Sequence, residues 1–384
     1  SSSMGTVEKD PVVVVVELGG GNDYLNTVIP YTDPNYYDNR KALRVEENEV
    51  LKLDSELGLN PNMGPMKDLY EAGDLAIIHG VGYENASRSH FRSMDIWHTC
   101  EPVSVADDGW IGRAEREIDP KGENPVGIVS VGYGLPRALV ADGVPVASVS
   151  DLASFGLYTD SQHMEQRDST LDLFREMYSP AIGSGPVGEV MSYLGQTGRD
   201  ALKSADILKK AIPQYKSSVE YGSDNLGQSL RTVANIHSAD LGARFFYTTH
   251  GGFDTHASQM PMHSNLWTQV SRAVADFWND MEEQGASDNI VMLLFSEFGR
   301  RVKENGQGTD HGSGGVAFAV GPRVKGGMYS EYPETRAEAL ADGDLSPNQD
   351  FRGVYSTLLE DWMGLDSGPL VNGRFEKPGF ITKG

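Results

Sequence analysis

Cysteine is all but missing from this chain: Cys100 is the single one in 384 residues. One thiol cannot close an intramolecular disulfide. Cysteine zinc knuckles are excluded too, so any metal must be bound through His, Asp or Glu. Within WHTCEPV, Cys100 itself reads as a semi-buried structural thiol. Long apolar runs are absent as well, and no stretch reaches the roughly 18 residues that a membrane-spanning helix requires. Positive charge is scarce: 32 Lys and Arg face 55 Asp and Glu, a formal net charge of -23. Such a surface repels nucleic acid and anionic membranes at long range, so neither is an expected partner. Repeats and low-complexity tracts are lacking. The leading SSSMGTVEKD, residues 1–10, reads as an appended tag and tether, with any native targeting peptide removed.

What remains is a chain long enough for a full core, in which strand and helix patterns alternate. PVVVVVELGGGND opens it: five consecutive valines read as a strand buried on both faces, as helix-covered parallel sheets require. DLAIIHGVG (74–82), PVGIVSVG, ARFFYTTH and NIVMLLF (289–295) read as further buried strands, and VAFAVG (316–321) as another. Helical spacing is expected after residue 89, from 166 to about 235, through HSNLWTQVSRAVADFWNDMEEQ and in GVYSTLLEDWMGL. These patterns predict an α/β fold, a three-layer α/β/α sandwich with a mainly parallel sheet. They fit a single domain over 11–384, with residues 150–235 as a helical insertion or cap. The sequence leaves the oligomeric state open.

Four segments share one grammar: a buried run, then glycine, then Asp or His. They are VVVVVELGGGND, FFYTTHGGFDTH, MLLFSEFGR and GQGTDHG. Loops at one edge of a parallel sheet converge in space. Asp23, Asp254, His256, Glu297, Asp310 and His311 are therefore expected at one rim. Carboxylates packed that closely without cations repel one another and take up protons, whereas a divalent ion removes the conflict. Each residue also has a plainer reading. Asp254 alone would serve as an N-cap, TDHG alone as a turn, and Glu297 as a surface partner of Arg300 or Arg301 worth under about 1 kcal/mol. His90 is a rim candidate and His263 faces either substrate or solvent. His250 is expected beside the cluster, and His79, His98, His163 and His237 as structural or surface groups.

FSEFGR followed by GTDHG resembles the metal-binding run of phosphopentomutases in the alkaline phosphatase superfamily. Over nearly its whole length the chain is more similar to the bacterial domain-of-unknown-function family 1501, assigned to that superfamily. LGGGNDYLNTVIPY, YYDNR, SRSHFRSMDIW, GWIGR, GGFDTHASQ, SEFGRRVKENGQGTDHG and VKGGMY carry the likeness. The resemblance implies an alkaline-phosphatase-like fold and one or two divalent ions (Zn, Mn, Ca or Mg) on Asp23, Asp254, His256, Glu297 and His311. It implies a nucleophile in NASRSHF, with Ser89 preferred to Ser87 because a helix start favours an anion. Phe298 stands where the superfamily has histidine, so one metal site loses a ligand. With no cysteine in that segment, a formylglycine nucleophile is excluded.

The expected activity is hydrolysis of a small-molecule or polymeric phosphate or sulfate ester. Arg88 or Arg92 would clamp the oxyanion, with plain surface charge the alternative for Arg88; His90 would assist at the rim, and Asn22, His263 and Asp310 would contact substrate. The alternatives are a non-catalytic exported binding or assembly protein and a phosphomutase. An extracytoplasmic location follows from the resemblance alone, since such proteins are often exported folded by the twin-arginine route.

Overall fold

The computed structural model describes residues 8–150, 199–200 and 203–382. Its centre is a nine-stranded sheet. We number its strands β1 (Val12–Leu18), β5 (Leu75–Gly82), β6 (Ile128–Val131), β7 (Ala147–Val149), β8 (Phe245–His250), β9 (Ile290–Phe295), β10 (Gly315–Val320), β11 (Gly327–Tyr329) and β12 (Gln349–Asp350). Along the sheet the order is β11-β5-β10-β9-β1-β8-β6-β7, with β12 also on β5. Three short strands, β2 (Val28–Ile29), β3 (Leu51–Lys52) and β4 (Gly58–Leu59), form a separate sheet.

The valine run lies at the middle, pairing in parallel with β8 on one side and β9 on the other. Because side chains alternate across a strand, Val12, Val14 and Val16 enter one core while Val13 and Val15 enter the other. The first core is covered by helices α2 (Gly64–Glu71), α5 (Asn225–Ser238) and α6 (Gln259–Glu283), through Met66, Leu230, Val270 and Phe277 among others. Opposite, α3 (His90–Thr99), α4 (Trp110–Ile118) and α7 (Phe351–Ser356) contribute Trp97, Trp110 and Tyr355. Two covered faces make the expected three-layer α/β arrangement.

β10 is the exception to parallel pairing, running antiparallel to both β5 and β9. The chain leaves β9, loops through 296–314 and returns alongside it, so no crossover helix is needed. Both ends of that loop therefore lie at the same edge of the sheet as the carboxyl ends of β1, β5 and β8. Of the expected helical insertion, residues 151–198 lie outside the described residues, as does His163. Residues 203–211 are helical, and α5 continues to Ser238. Among the described residues no helix is long and apolar enough to cross a membrane.

Candidate metal centre

The site is built at that edge by loops that close on one another. After β1 the chain turns through Gly20 and Gly21, both at positive φ. A Cβ on Gly20 would lie 2.4 Å from the Asp254 nitrogen, and one on Gly21 would lie 2.5 Å from the Phe298 ring, so no side chain fits at either position. The loop before β10 is pinned by Asn305. Its Oδ1 accepts from the nitrogens of Gln307 and Gly308, and its Nδ2 donates to the His256 carbonyl at 2.9 Å. The Thr309 nitrogen donates to the Thr255 carbonyl at 3.1 Å. The result places the 254–256 and 310–311 segments side by side.

Three imidazoles meet there around one carboxylate. His256 Nε2 lies 2.8 Å and His311 Nε2 3.0 Å from Asp254 Oδ1, and His90 Nε2 lies 3.3 Å from Asp254 Oδ2. His256 and His311 face each other with their Nε2 atoms 3.1 Å apart. Each ring is tethered through its other nitrogen. His90 Nδ1 is 3.2 Å from Glu297 Oε2, His311 Nδ1 is 2.7 Å from the Arg88 carbonyl, and His256 Nδ1 is 3.0 Å from Asp310 Oδ1. These partners only accept, so each Nδ1 carries a proton, and a ring in its neutral form turns an Nε2 lone pair toward Asp254. Lone pairs converging on a carboxylate repel unless a cation lies among them. The Nε2 of His90 is buried yet makes no hydrogen bond.

The donor atoms of His90, Asp254 and His311 all lie within 4.8 Å of one another, the spacing of a metal-ligand set. Imidazole and carboxylate donors suit zinc and similar borderline ions. Tethered Nδ1 atoms are the usual support for metal-binding histidines. The residues present therefore fit one divalent ion. Burial alone would raise the Asp254 carboxyl, but the hydrogen bond and positive charge of Arg300 hold it well below the usual carboxylate range.

Several expected roles are changed by these contacts. Asp23 is buried and stands apart from the three: Arg40 Nη1 and Nη2 grip its two oxygens at 2.7 and 2.8 Å, and Gln259 Nε2 donates at 2.6 Å. Burial opposes ionisation there, but the Arg40 charge prevails and keeps the carboxyl below its ordinary value. Glu297 also supplies no open oxygen. The Gly20 nitrogen donates to both of its oxygens at 2.9 and 3.1 Å, the Ser296 hydroxyl donates to Oε1, and Oε2 holds His90. Arg300 pairs with Asp254 at 2.8 Å rather than with Glu297, and donates to the carbonyls of Gly20, Gly21, Phe253 and Thr309.

Neither expected anion clamp is free. Arg88 is held by Asp342 and Asp344, and Arg92 by Asp95 and the carbonyls of Glu101, Pro102 and Ser104. Asn22 and His263 are buried against each other and Trp267, away from solvent, and burial lowers His263 to about 4. Their expected contact with substrate is thus replaced by a place in the core. His250 is a buried partner of Gln269. Asp310 does reach the rim, as the exposed partner of His256. Ser89 caps α3 and is exposed, its Oγ accepting from the Arg92 nitrogen at 3.4 Å, while the Ser87 Oγ accepts from the Ser89 nitrogen.

Arg40 had no expected role and Arg300 only that of a surface partner of Glu297, although YYDNR and SEFGR display both. A guanidinium that will close on a distant carboxylate has no local signature. Phe298 packs on the histidines, with ring centroids 5.0 Å from His90 and 4.7 Å from His311.

No curated protein matches the chain. Among solved structures it is similar to a protein in the alkaline phosphatase superfamily from Vibrio parahaemolyticus, with 9% identity, TM-score 0.43, 96% of this chain covered and 70% of that one. It is also similar to a phosphonate monoester hydrolase from Silicibacter pomeroyi (11%, TM-score 0.45, 96% and 76% covered). A third is the zinc complex of the C-terminal periplasmic domain of EcEptC from Escherichia coli (9%, TM-score 0.43, 94% and 84%). The model of the protein family of unknown function DUF1501 matches residues 138–371, more than half of the chain, and the protein belongs to that family.

Proposed function

We propose that the protein is a metal-dependent hydrolase of phosphate or sulfate esters, with its ion on His90, Asp254 and His311. The observation that carries this is the convergence of three tethered imidazoles on Asp254. A divalent ion there supplies positive charge for an oxyanion and lowers the pKa of a nearby hydroxyl or water. Glu297 and the Arg88 carbonyl fix the rings of His90 and His311. His256 stands on the solvent side with Asp310 behind it, an exposed Asp-His pair suited to carrying a proton to or from a leaving group. Ser89, exposed at the start of α3 and next to His90, is the nucleophile in this reading. Ser87 instead uses its oxygen to hold the Ser89 backbone.

Asp254 and His256 are both nearly half exposed, so a small or polymeric ester would approach from that side. The 150–235 segment would act as a cap over substrate, and the protein would work outside the cytoplasm. A non-catalytic binding or assembly protein is the second reading, favoured by the commitment of Asp23 to Arg40.

The test is metal content and turnover on the full chain. We expect zinc or manganese to be retained after gel filtration and lost in Asp254→Ala/His311→Ala. Hydrolysis of p-nitrophenyl esters should fall by about 100-fold or more in Ser89→Ala and little in Ser87→Ala. Full activity in Ser89→Ala would leave activated water as the nucleophile. Tight metal binding without turnover of any ester would favour the second reading.

A further inference from the structure

We infer that a cleft beside the metal centre binds one uncharged sugar ring, and hence that the ester of the hydrolase reading, on which this second half rests, is carried by a saccharide. The cleft opens where the parallel strands β6, β7 and β8 end, at the same edge of the sheet as the three imidazoles. Val131 pairs with Val149 on one side and Thr248 on the other. The chain then leaves the sheet through Gly132 and Gly134, both at positive φ, where an added Cβ would meet nothing. The space left open is about 170 Å³. Pockets for drug-sized ligands run to about 300–1,000 Å³, so this one suits a single small ring.

Its lining is polar without being charged. Among the described residues no Asp, Glu, Lys, Arg or His faces the cleft. Two of the hydroxyls in its wall are already committed: those of Tyr247 and Thr249 donate to Glu17 at 2.6 and 3.1 Å. The Thr248 hydroxyl is not, for this side chain is 2% exposed and its Oγ1 has no hydrogen-bond partner. A buried hydroxyl left unpaired bears the full cost of its lost hydration, which a ligand hydroxyl would remove. Ser130 adds a second hydroxyl. Asn225, whose Nδ2 donates to the Thr249 carbonyl at 3.0 Å, keeps its Oδ1 as an acceptor. At the mouth Tyr133 is 93% exposed and offers a flat apolar face. An ion would find no counter-charge here, and an apolar ligand would leave Thr248 unpaired. A sugar ring meets both conditions, with hydroxyls around its edge and C–H groups on its face to lie against Tyr133.

The cleft adjoins the metal centre through its Thr249 wall. Thr249 precedes Asp254 by five residues, at most about 17 Å of extended chain. A Cβ on Gly19 would lie 3.6 Å from Thr249 Cγ2, and one on Gly20 2.4 Å from the Asp254 nitrogen, so cleft wall and metal ligand lie against consecutive residues. A sugar held in the cleft therefore leaves the next unit of the same molecule beside the ion, where its ester would be cleaved.

Binding is tested first, by isothermal titration of the full chain stripped with chelator, so that the result does not depend on hydrolysis. The probes are glucose, galactose and fucose, with galacturonate as a charged control. We expect at least one neutral sugar to bind with a Kd in the millimolar range, about tenfold or more tighter than galacturonate. Thr248→Val and Tyr133→Ala should each weaken it by about tenfold, with the melting temperature of Thr248→Val no lower than that of the parent, because valine removes an unpaired hydroxyl. Binding of none of these sugars, or equal affinity in both variants, overturns the inference and leaves the hydrolase reading untouched. Turnover is tested second, on the metal-loaded chain, with lactose sulfated on its galactose against galactose sulfated at the same hydroxyl, and with the corresponding phosphates. We expect kcat/KM about tenfold higher for the disaccharide ester, with the advantage lost in Tyr133→Ala. Equal values for the two overturn the saccharide-ester half alone. Sugar binding without turnover of any ester, p-nitrophenyl esters included, overturns the hydrolase reading and the half built on it, while the cleft stands.

Discussion

At the scale of single residues, the site depends on what stands behind each histidine. Glu297 is buried, and among the described residues its side chain is held by the Gly20 nitrogen, the neighbouring Ser296 hydroxyl and His90. Replacing it by Gln keeps the volume and removes the charge that fixes the His90 ring. We predict that Glu297→Gln weakens metal affinity about 10- to 100-fold, read by competition with a chromogenic chelator, with the circular dichroism spectrum unchanged. Affinity equal to wild type would show that His90 needs no such support. Likewise, His256→Ala should keep the ion but reduce turnover by about 100-fold or more. Loss of the ion in that variant would make His256 a ligand instead. Asp254, His256 and His311 stand out in the sequence because each follows glycine in a loop next to a buried run. The division of labour does not, since Arg40 reaches Asp23 across 17 residues and Arg300 reaches Asp254 across 46.

At the scale of elements, the two arginines act as clasps between loops, and the Arg40 clasp is open to a stability test. Arg40→Ala would strand the Asp23 charge in the interior, at a cost of about 3–5 kcal/mol in denaturant unfolding. Replacing both partners with apolar residues, Arg40→Met with Asp23→Leu, should recover most of that loss. A single variant as stable as the parent would mean that water reaches Asp23. Strands were the most legible elements, because β1, β5, β8 and β9 are apolar on both faces. The direction of β10 was not legible, since VAFAVG reads the same either way and only the absence of a helix between 296 and 314 hints at a return. The long helix α6 begins at Gln259, before the expected HSNLW. Pro261 looks like a break, but the first turn of a helix needs no amide donors, so proline is accepted there. In the C-terminal helix, Thr357–Trp362 widen into a π-helical turn that no periodicity announces.

At the scale of the whole molecule, pH acts through a group remote from the site. Glu115 on α4 is buried beneath Gly127, and one of its oxygens has no partner. Burial, with help from Asp119 and against Arg244, raises its carboxyl from the usual 4.5 to about 7. The fold therefore favours the protonated acid. Its contribution is complete below about pH 4.5, declines as pH rises toward 7, and above that leaves a fixed penalty of up to about 3 kcal/mol. Glu115→Gln should consequently raise the melting temperature at pH 8 and change it little at pH 4. An equal effect at both values would show that the carboxyl is solvated. The order of the sheet has one more consequence. His90 follows β5 and His256 follows β8, with β10, β9 and β1 between those strands, and His311 arrives only with β10. Fragments and partly assembled chains therefore lack the pocket altogether, so chelation by this protein would report that its farthest-separated segments have already met.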